Sequence, residues 1–428
     1  MLSAFVSAFR TPDLRRKLLF TLGIIVVYRL GTFVPAPGVS YQNVQQCLTE
    51  SGSADLLSMI NMFSGGAMLQ LSVFALGIMP YITASIIVQL MRVVIPRFEE
   101  LHKEGQTGQA KLTEYTRYLT IGLAVMQSAV VVTLANSGLF IGCSVKPIPD
   151  NSAGTMLVMI ITMTAGTALI MWMGELITEN GVGNGMSILI FTGIAGSFPP
   201  AMMQVARSFN GTRNLIIVLA LFLAITLVVV FVEQSQRRIP VQYAKRVIGR
   251  RTYGGSTTYI PIKINMANVI PVIFASSILT LPSMAIQFGD PSSGWVQWLS
   301  RNFDQTSWPY MITFFVMIVF FAFFYTSITF NPDEVADNMK RYGGFIPGIR
   351  AGAPTANYLR YVMNRITWVG AFYLATIALI PTVVFGQLGI TMMAFGGTSI
   401  IILVGVGLQT VKDIDAQLQQ RHYEGFLK

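Results

Sequence analysis

Ten long apolar runs pass through the sequence, near residues 18–34, 71–91, 118–136, 153–173, 183–198, 214–232, 267–287, 309–330, 367–385 and 395–411. A helix that crosses a hydrocarbon core of ~30 Å needs ~20 residues, with a range of about 17–25. Ten spans of that length leave no room for a large soluble domain. Charged residues make up only 11% of the 428, against roughly 25% in an ordinary soluble domain. So little charge cannot cover a water-facing surface. The runs are continuous rather than alternating, which argues against a β-barrel. The sequence therefore predicts an all-α polytopic membrane protein with ten transmembrane helices. Arg15-Arg16-Lys17 precedes a full-length apolar run with no small-residue cleavage site. The first run is expected to be a retained span, not a signal peptide.

Charge sets the expected orientation, because cytosolic loops collect Lys and Arg. With the N-terminus inside and the spans alternating, the inside segments hold 24 of the 29 basic residues. The outside loops hold Lys146, Arg207, Arg213 and Arg301, and Arg29 lies within the first span. Both termini are then cytosolic. Two readings fit the basic segments. They are an orientation signal alone, or they also dock an anionic partner such as ribosomal RNA or an acidic protein surface. The length of 234–266 and 331–365 favours docking. Cys47 and Cys143 both fall in predicted outside loops, where they are either free thiols or a bridge.

Catalytic chemistry is poorly supplied. The two histidines, His102 and His422, lie in predicted cytosolic segments. The sequence contains no HExxH, Walker A or GxSxG motif. Glu175, Glu179 and Glu233 sit at the ends of spans rather than mid-span, where a proton-coupled carrier places its carboxylate. No metal, cofactor or enzymatic activity is expected. Arg29, about five residues or roughly 8 Å from the outer end of its span, reads as a residue snorkelling to the interface or as half of a functional pair.

Ten spans divide into two halves of five, residues 1–213 and 214–428, and an odd number per half inverts the second half in the membrane. Such folds put their pathway at interrupted helices in matching positions. Pro80-Tyr81-Ile82-Thr83-Ala84-Ser85 in span 2 and Pro271-Val272-Ile273-Phe274-Ala275-Ser276 in span 7 share P-x-I-x-A-S. Each proline is expected to break a helix hydrogen bond. Gly185-Met186-Ser187-Ile188-Leu189-Ile190 in span 5 and Gly397-Thr398-Ser399-Ile400-Ile401-Ile402 in span 10 share G-x-S-I-x-I. Ile78 with Ile82, and Met186 with Ile190, are i, i+4 pairs on one helix face. Ile273 and Ile402 occupy the matching motif positions. These residues are packing aliphatics or a hydrophobic constriction that bars ions by dewetting. A constriction suits a pore for something large and chemically varied. It does not suit a solute carrier, whose site needs placed polar groups. The segment Leu56 to Gly66 is apolar but too short to span. It reads as a re-entrant half-helix ending at Gly65-Gly66, or as a helix lying on the outer surface.

At these residues the chain resembles the SecY family of bacterial protein-conducting channels. The resemblance runs nearly end to end. It is strongest in Phe74-Ala75-Leu76-Gly77-Ile78-Met79-Pro80-Tyr81-Ile82, Met171-Trp172-Met173-Gly174-Glu175, Gln236-Arg237-Arg238, Tyr243-Ala244-Lys245-Arg246 and Phe345-Ile346-Pro347-Gly348-Ile349-Arg350. It implies two pseudo-symmetric halves forming an hourglass. The pore ring would be Ile78, Ile82, Met186, Ile190, Ile273 and Ile402. The plug would run from about Leu56 to Gln70 and include Ile60, Phe63, Ser64, Gly65 and Gly66. A lateral gate would carry Thr83, Gln127 and Asn265. Arg250, Arg251 and Arg350 would lie at the loop tips where the SecA motor ATPase or a ribosome docks. The implied partners are the small membrane subunits SecE and SecG, SecA, the ribosome, precursors with signal sequences, and anionic lipids. The implied location is the bacterial cell membrane. Met186 departs from the family's usual Ile, Asn180 from a usual Arg, and Ala351 from a common Pro. The rival reading is an inverted-repeat secondary transporter of a small solute.

Overall fold

The computed structural model describes residues 9, 11–50, 64–137, 147–150, 152–207, 211–243, 246–248, 251–253, 257–288, 293–303, 307–388 and 397–425. The chain packs as two units, Met1–Ala220 with Val384–Lys428, and Leu221–Val383.

In the first unit, α1 (Pro12–Thr32) is followed by a short helix α2 (Tyr41–Glu50), then α3 (Met79–Val94) and α4 (Pro96–Lys103). The long helices α5 (Gln106–Ser137), α6 (Ala153–Asn180) and α7 (Gly185–Arg207) come next. The helix α8 (Gly211–Gln234) leads into the second unit. There β1 (Gln236–Tyr243), β2 (Arg246–Ile248), β3 (Arg251–Tyr253) and β4 (Thr257–Lys263) precede α9 (Ile270–Phe288), α10 (Gly294–Asn302) and α11 (Trp308–Thr329). They are followed by α12 (Pro332–Arg341), β5 (Gly344–Phe345) and α13 (Ala353–Leu388). The last helix, α14 (Gly397–Gly425), belongs to the first unit. Among the described residues, seven helices are long and apolar enough to cross a membrane, or eight if the bent pair α3–α4 is counted as one span.

The second apolar run becomes helical only at Met79. Before it, the chain is pinned against α1 and its exit: Ala36 N–H donates to Leu71 (3.0 Å) and Val73 N–H to Val34 (2.9 Å). Phe74 stacks on Tyr28 at 6.0 Å and lies where a side chain on Gly31 would stand. Leu71 (φ 48°) and Gly77 (φ 56°) take left-handed backbone, so no helix can pass through them. The expectation that Pro80 and Pro271 interrupt spans 2 and 7 is corrected here. Each is the second residue of its helix, α3 and α9. There a proline costs no intrahelical bond and its fixed φ favours starting the helix. The other end of α3 is set by Pro96. It holds Ile95 in extended backbone (φ −105°, ψ 113°), as steric conflict with a following proline requires, and α4 departs at 100°.

The helices α6 and α7 approach with glycine against glycine. A side chain on Gly185 would collide with the carbonyl of Gly174, and one on Gly174 with the Met186 thioether. The turn between them uses Gly183 at φ +72° and is capped by Asn184, whose Oδ1 accepts from Met186 N–H (3.0 Å) and Ser187 N–H (3.2 Å). Leu14, Leu18, Val182 and Ile414 form a small core that seats this turn against α1 and α14. In α2, Cys47 is buried and disulfide-bonded, so the bridged alternative holds for it. Cys143, the only other cysteine in the sequence, lies outside the described residues.

In the second unit the two long basic segments fold as one body. The strands β4, β1 and β5 make an antiparallel sheet in that order. Arg237 pairs with Ile262 and Pro240 with Tyr259, while Gln242 and Tyr243 pair with Phe345 and Gly344. Pro240 is tolerated because β5 covers only the end of β1 beyond it. Alternation puts Ile239, Val241 and Ile262 on one face, where they meet Met339, Ile346, Leu359, Val362 and Met363. The segments 234–266 and 331–365 therefore share a core.

Candidate functional site

The predicted ring residues occupy equivalent positions in their helices. Ile78 caps the N-terminus of α3, and its carbonyl accepts from Ile82 N–H at 3.1 Å, which sets the two one turn apart. Met186 and Ile190 fall in the first two turns of α7, Ile273 in the first turn of α9 and Ile402 in the second turn of α14. Gly185 and Gly397 are the first residues of α7 and α14, as Pro80 and Pro271 are the second of α3 and α9. The matched motifs are thus matched helix starts. Ile78, Ile190, Ile273 and Ile402 are buried, while Ile82 and Met186 are half-buried. Met186 lies over Gly174. Ile273 belongs to the second unit and the other five to the first.

Of the predicted plug residues, Leu56, Ile60 and Phe63 lie outside the described residues. Ser64 is buried and its Oγ accepts from Met68 N–H at 3.1 Å. Gly65 (φ +68°) and Gly66 (φ +93°) both take left-handed backbone, which explains the glycine pair.

The snorkelling reading of Arg29 is corrected. Its Nη1 donates to the carbonyl of Gly65 at 2.9 Å and its Nη2 to the carbonyl of Gly196 in α7 at 3.3 Å. Its Cζ stands 5.7 Å from the centre of the Phe33 ring. The guanidinium is half-buried and turned into the protein. The sequence held a signal for this: Pro200 lies four residues after Gly196 and has no N–H to give it.

Among the predicted gate residues, Thr83 Oγ1 donates to the Met79 carbonyl at 3.0 Å, so its hydroxyl is turned onto its own helix. Gln127 is half-buried on α5. Asn265 is buried, and its Nδ2 donates to Glu233 Oε1 (2.5 Å) and to the carbonyl of Asn268 (3.0 Å). Asn268 holds φ +50°. Glu233 is itself buried at the end of α8. This pair ties the exit of α8 to the entrance of α9, where the β-hairpin leaves and returns. Sequence reading placed Glu233 at a span end and did not find its partner. Between α5 and α6, Arg117 grips Glu175 with two hydrogen bonds of 2.8 and 2.9 Å.

Of the predicted docking residues, Arg350 is exposed beside the left-handed Gly348 and Gly352. Arg251 opens β3, and Arg250 lies outside the described residues. No cluster of His, Cys, Asp or Glu able to hold a metal occurs among the described residues.

A family model described as SecY matches residues 72–411. The chain belongs to the SecY family. The protein translocase subunit SecY of Streptomyces coelicolor is 60% identical to it, over 100% of both chains. That of Micrococcus luteus is 58% identical, again over 100% of both. A solved SecY protein, whose plug domain stabilises the closed state of the translocation channel and maintains a membrane seal, shares the fold. It has a TM-score of 0.61 and 16% identity, over 94% of this chain and 91% of that one. Family membership makes the chain a protein-conducting channel of the Sec translocase rather than an enzyme, and places it in the bacterial plasma membrane among Sec-pathway components.

Proposed function

We propose that Ile78, Ile82, Met186, Ile190, Ile273 and Ile402 form the constriction through which an unfolded secretory polypeptide is threaded. The observation that carries this is the matched placement of the six. All stand at or near the starts of four helices opened by paired motifs, and none offers a polar group. Aliphatic side chains bar ions by dewetting yet give way to any passing sequence, and the Met186 thioether softens the seal. The same pairing supports two inverted halves, 1–213 and 214–428.

The plug, about Leu56 to Gln70, closes the channel from the outer side. A signal sequence or membrane segment leaves sideways through a lateral gate bearing Thr83, Gln127 and Asn265. At about 0.3–0.6 kcal/mol per Leu, Ile, Phe or Val, a segment of about twenty apolar residues favours lipid, and a few charges reverse that. Because Asn265 spends its amide N–H groups on Glu233 and Asn268, its gate contact is made through Oδ1. The basic body carrying Arg250, Arg251 and Arg350 faces the cytosol with both termini and takes SecA or a ribosome. SecE and SecG are the membrane partners.

The test is a crosslink. Cys47 and Cys143 are replaced, Ile82→Cys is introduced, and a secretory precursor is stalled during ATP-driven translocation. An adduct at position 82 is expected. Adducts at cysteines in the basic body but not at position 82 would overturn the ring assignment. In planar bilayers, Ile82→Asn should raise ion leak, and unchanged conductance would count against the ring.

A further inference from the structure

We propose that Arg29 is a positioning residue for the plug, a latch with one fixed leg on α7 and one releasable leg on Gly65. The inference rests on the plug reading above and adds what holds that segment in place.

The fixed leg follows from the chain itself. In an α-helix the carbonyl of residue i accepts from the N–H of residue i+4. Residue 200 is proline, and Pro199-Pro200 lies within α7. The Gly196 carbonyl therefore has no intrahelical donor, and in a bilayer an unsatisfied backbone group is costly. The Nη2 of Arg29 supplies the missing donor at 3.3 Å. A charge within a span is also costly, and Arg29 takes backbone carbonyls as its acceptors. The proline and the arginine meet each other's need.

The releasable leg is of a different kind. The Gly65 carbonyl belongs to a non-helical, left-handed residue, and Nη1 reaches it at 2.9 Å. Space for both legs exists only because two residues lack side chains. A Cβ on Gly65 would stand 2.9 Å from Nη1 and 3.2 Å from the Gly193 Cα, and one on Gly196 would strike the guanidinium. The Phe33 ring holds the guanidinium from a third side. When Gly65 moves away, one hydrogen bond breaks and the charge keeps its other partner. A lysine, a point charge without the rigid fork, cannot hold both carbonyls in this way.

The test is the resting ion conductance of the purified channel complex in planar bilayers. It uses R29A combined with P200A, which returns an N–H to the Gly196 carbonyl and leaves the Gly65 bond, together with the Phe33 ring contact, missing. The double variant should melt as the wild type does and conduct about tenfold more at rest, the worth of one charged hydrogen bond in the closed state. Wild-type conductance in R29A/P200A, with Ile82→Asn leaking, would show that Arg29 serves α7 alone and overturn the latch. Wild-type conductance in both would overturn the channel closure reading itself. Should the double variant not assemble, G65A attacks the same contact from the other side. Leak is again expected, and its absence would sink the latch.

Discussion

Where α6 meets α7, the contact is made by what is missing. Gly174 and Gly185 let one backbone rest on the other, and Asn184 closes the turn with its side chain. Under the three-stranded sheet of the second unit, the contact is made by bulk, with Ile239, Val241 and Ile262 filling the space against Met339, Leu359 and Val362. The two regions answer to different solvents. Inside lipid, apolar side chains gain nothing by leaving one apolar surface for another, so helices associate through small residues and satisfied polar groups. Outside it, burying aliphatic surface from water drives assembly. One chain uses both methods, and the boundary between them falls at the ends of α8 and α9.

The sharpest way to break this comparison is to add volume where the first region has none. Gly185→Leu puts a side chain into the carbonyl of Gly174 and should abolish assembly of the α6–α7 pair. The check is the yield of folded protein in detergent. A wild-type yield would show that the close approach is dispensable. The matching change in the second region is Ile262→Ala, which should cost about 3 kcal/mol through lost burial and a cavity. Hydrogen exchange should rise across 236–263 and 344–363 together, and not in α6 or α7. The boundary itself is probed by Asn265→Ala, which removes two donated bonds from a buried carboxylate and a carbonyl and should cost about 1.5–3 kcal/mol. It should be read in thermal unfolding and in faster exchange at Ile264 N–H, which bonds the Ser235 carbonyl. Asn184→Ala removes only the cap of α7 and should cost about 1 kcal/mol, visible as fraying of its first turn.

The smallest effect is expected on the exposed surface of α4. The Lys103 ammonium donates to Glu99 Oε1 at 2.7 Å and holds the Glu99 carboxyl below its ordinary value. The depressed value means any stabilisation is present above the usual glutamate range and fades as pH falls through the lowered one. Both groups are open to solvent, so water screens the pair. Glu99→Gln should leave the melting temperature unchanged at neutral pH, and a measurable drop would show that α4 depends on it.

How much of this was legible beforehand follows the same boundary. Hydropathy placed the long apolar helices, because a membrane imposes one length and one polarity on every helix; of the ten runs, seven or eight meet that test among the described residues. It misjudged the start of α3, because Leu71 to Ile78 are as apolar as a helix but are held by Val34, Ala36 and Tyr28, partners far along the chain. The motif pairs were visible as letters, and the structure adds that each marks a helix start. The shared core was invisible, since it needs Tyr243 to meet Gly344 across two intervening spans. Arg29 looked like a residue escaping to water because only its own helix was considered. Its acceptors are on other elements, and the proline that explains one of them is far away in sequence.

The sheet also has a mechanical consequence. The strand β1 starts directly after α8, β4 runs through a short link into α9, and the core beneath them includes residues of α12 and the first turns of α13. A packed sheet of this kind does not absorb a displacement of the loop that carries Arg350. It hands the displacement to the membrane ends of α8, α9 and α13 together. The helices α8 and α9, continuous with β1 and β4, and α13, whose first turns lie in the core, are thereby coupled, and a displacement of one loads the other two.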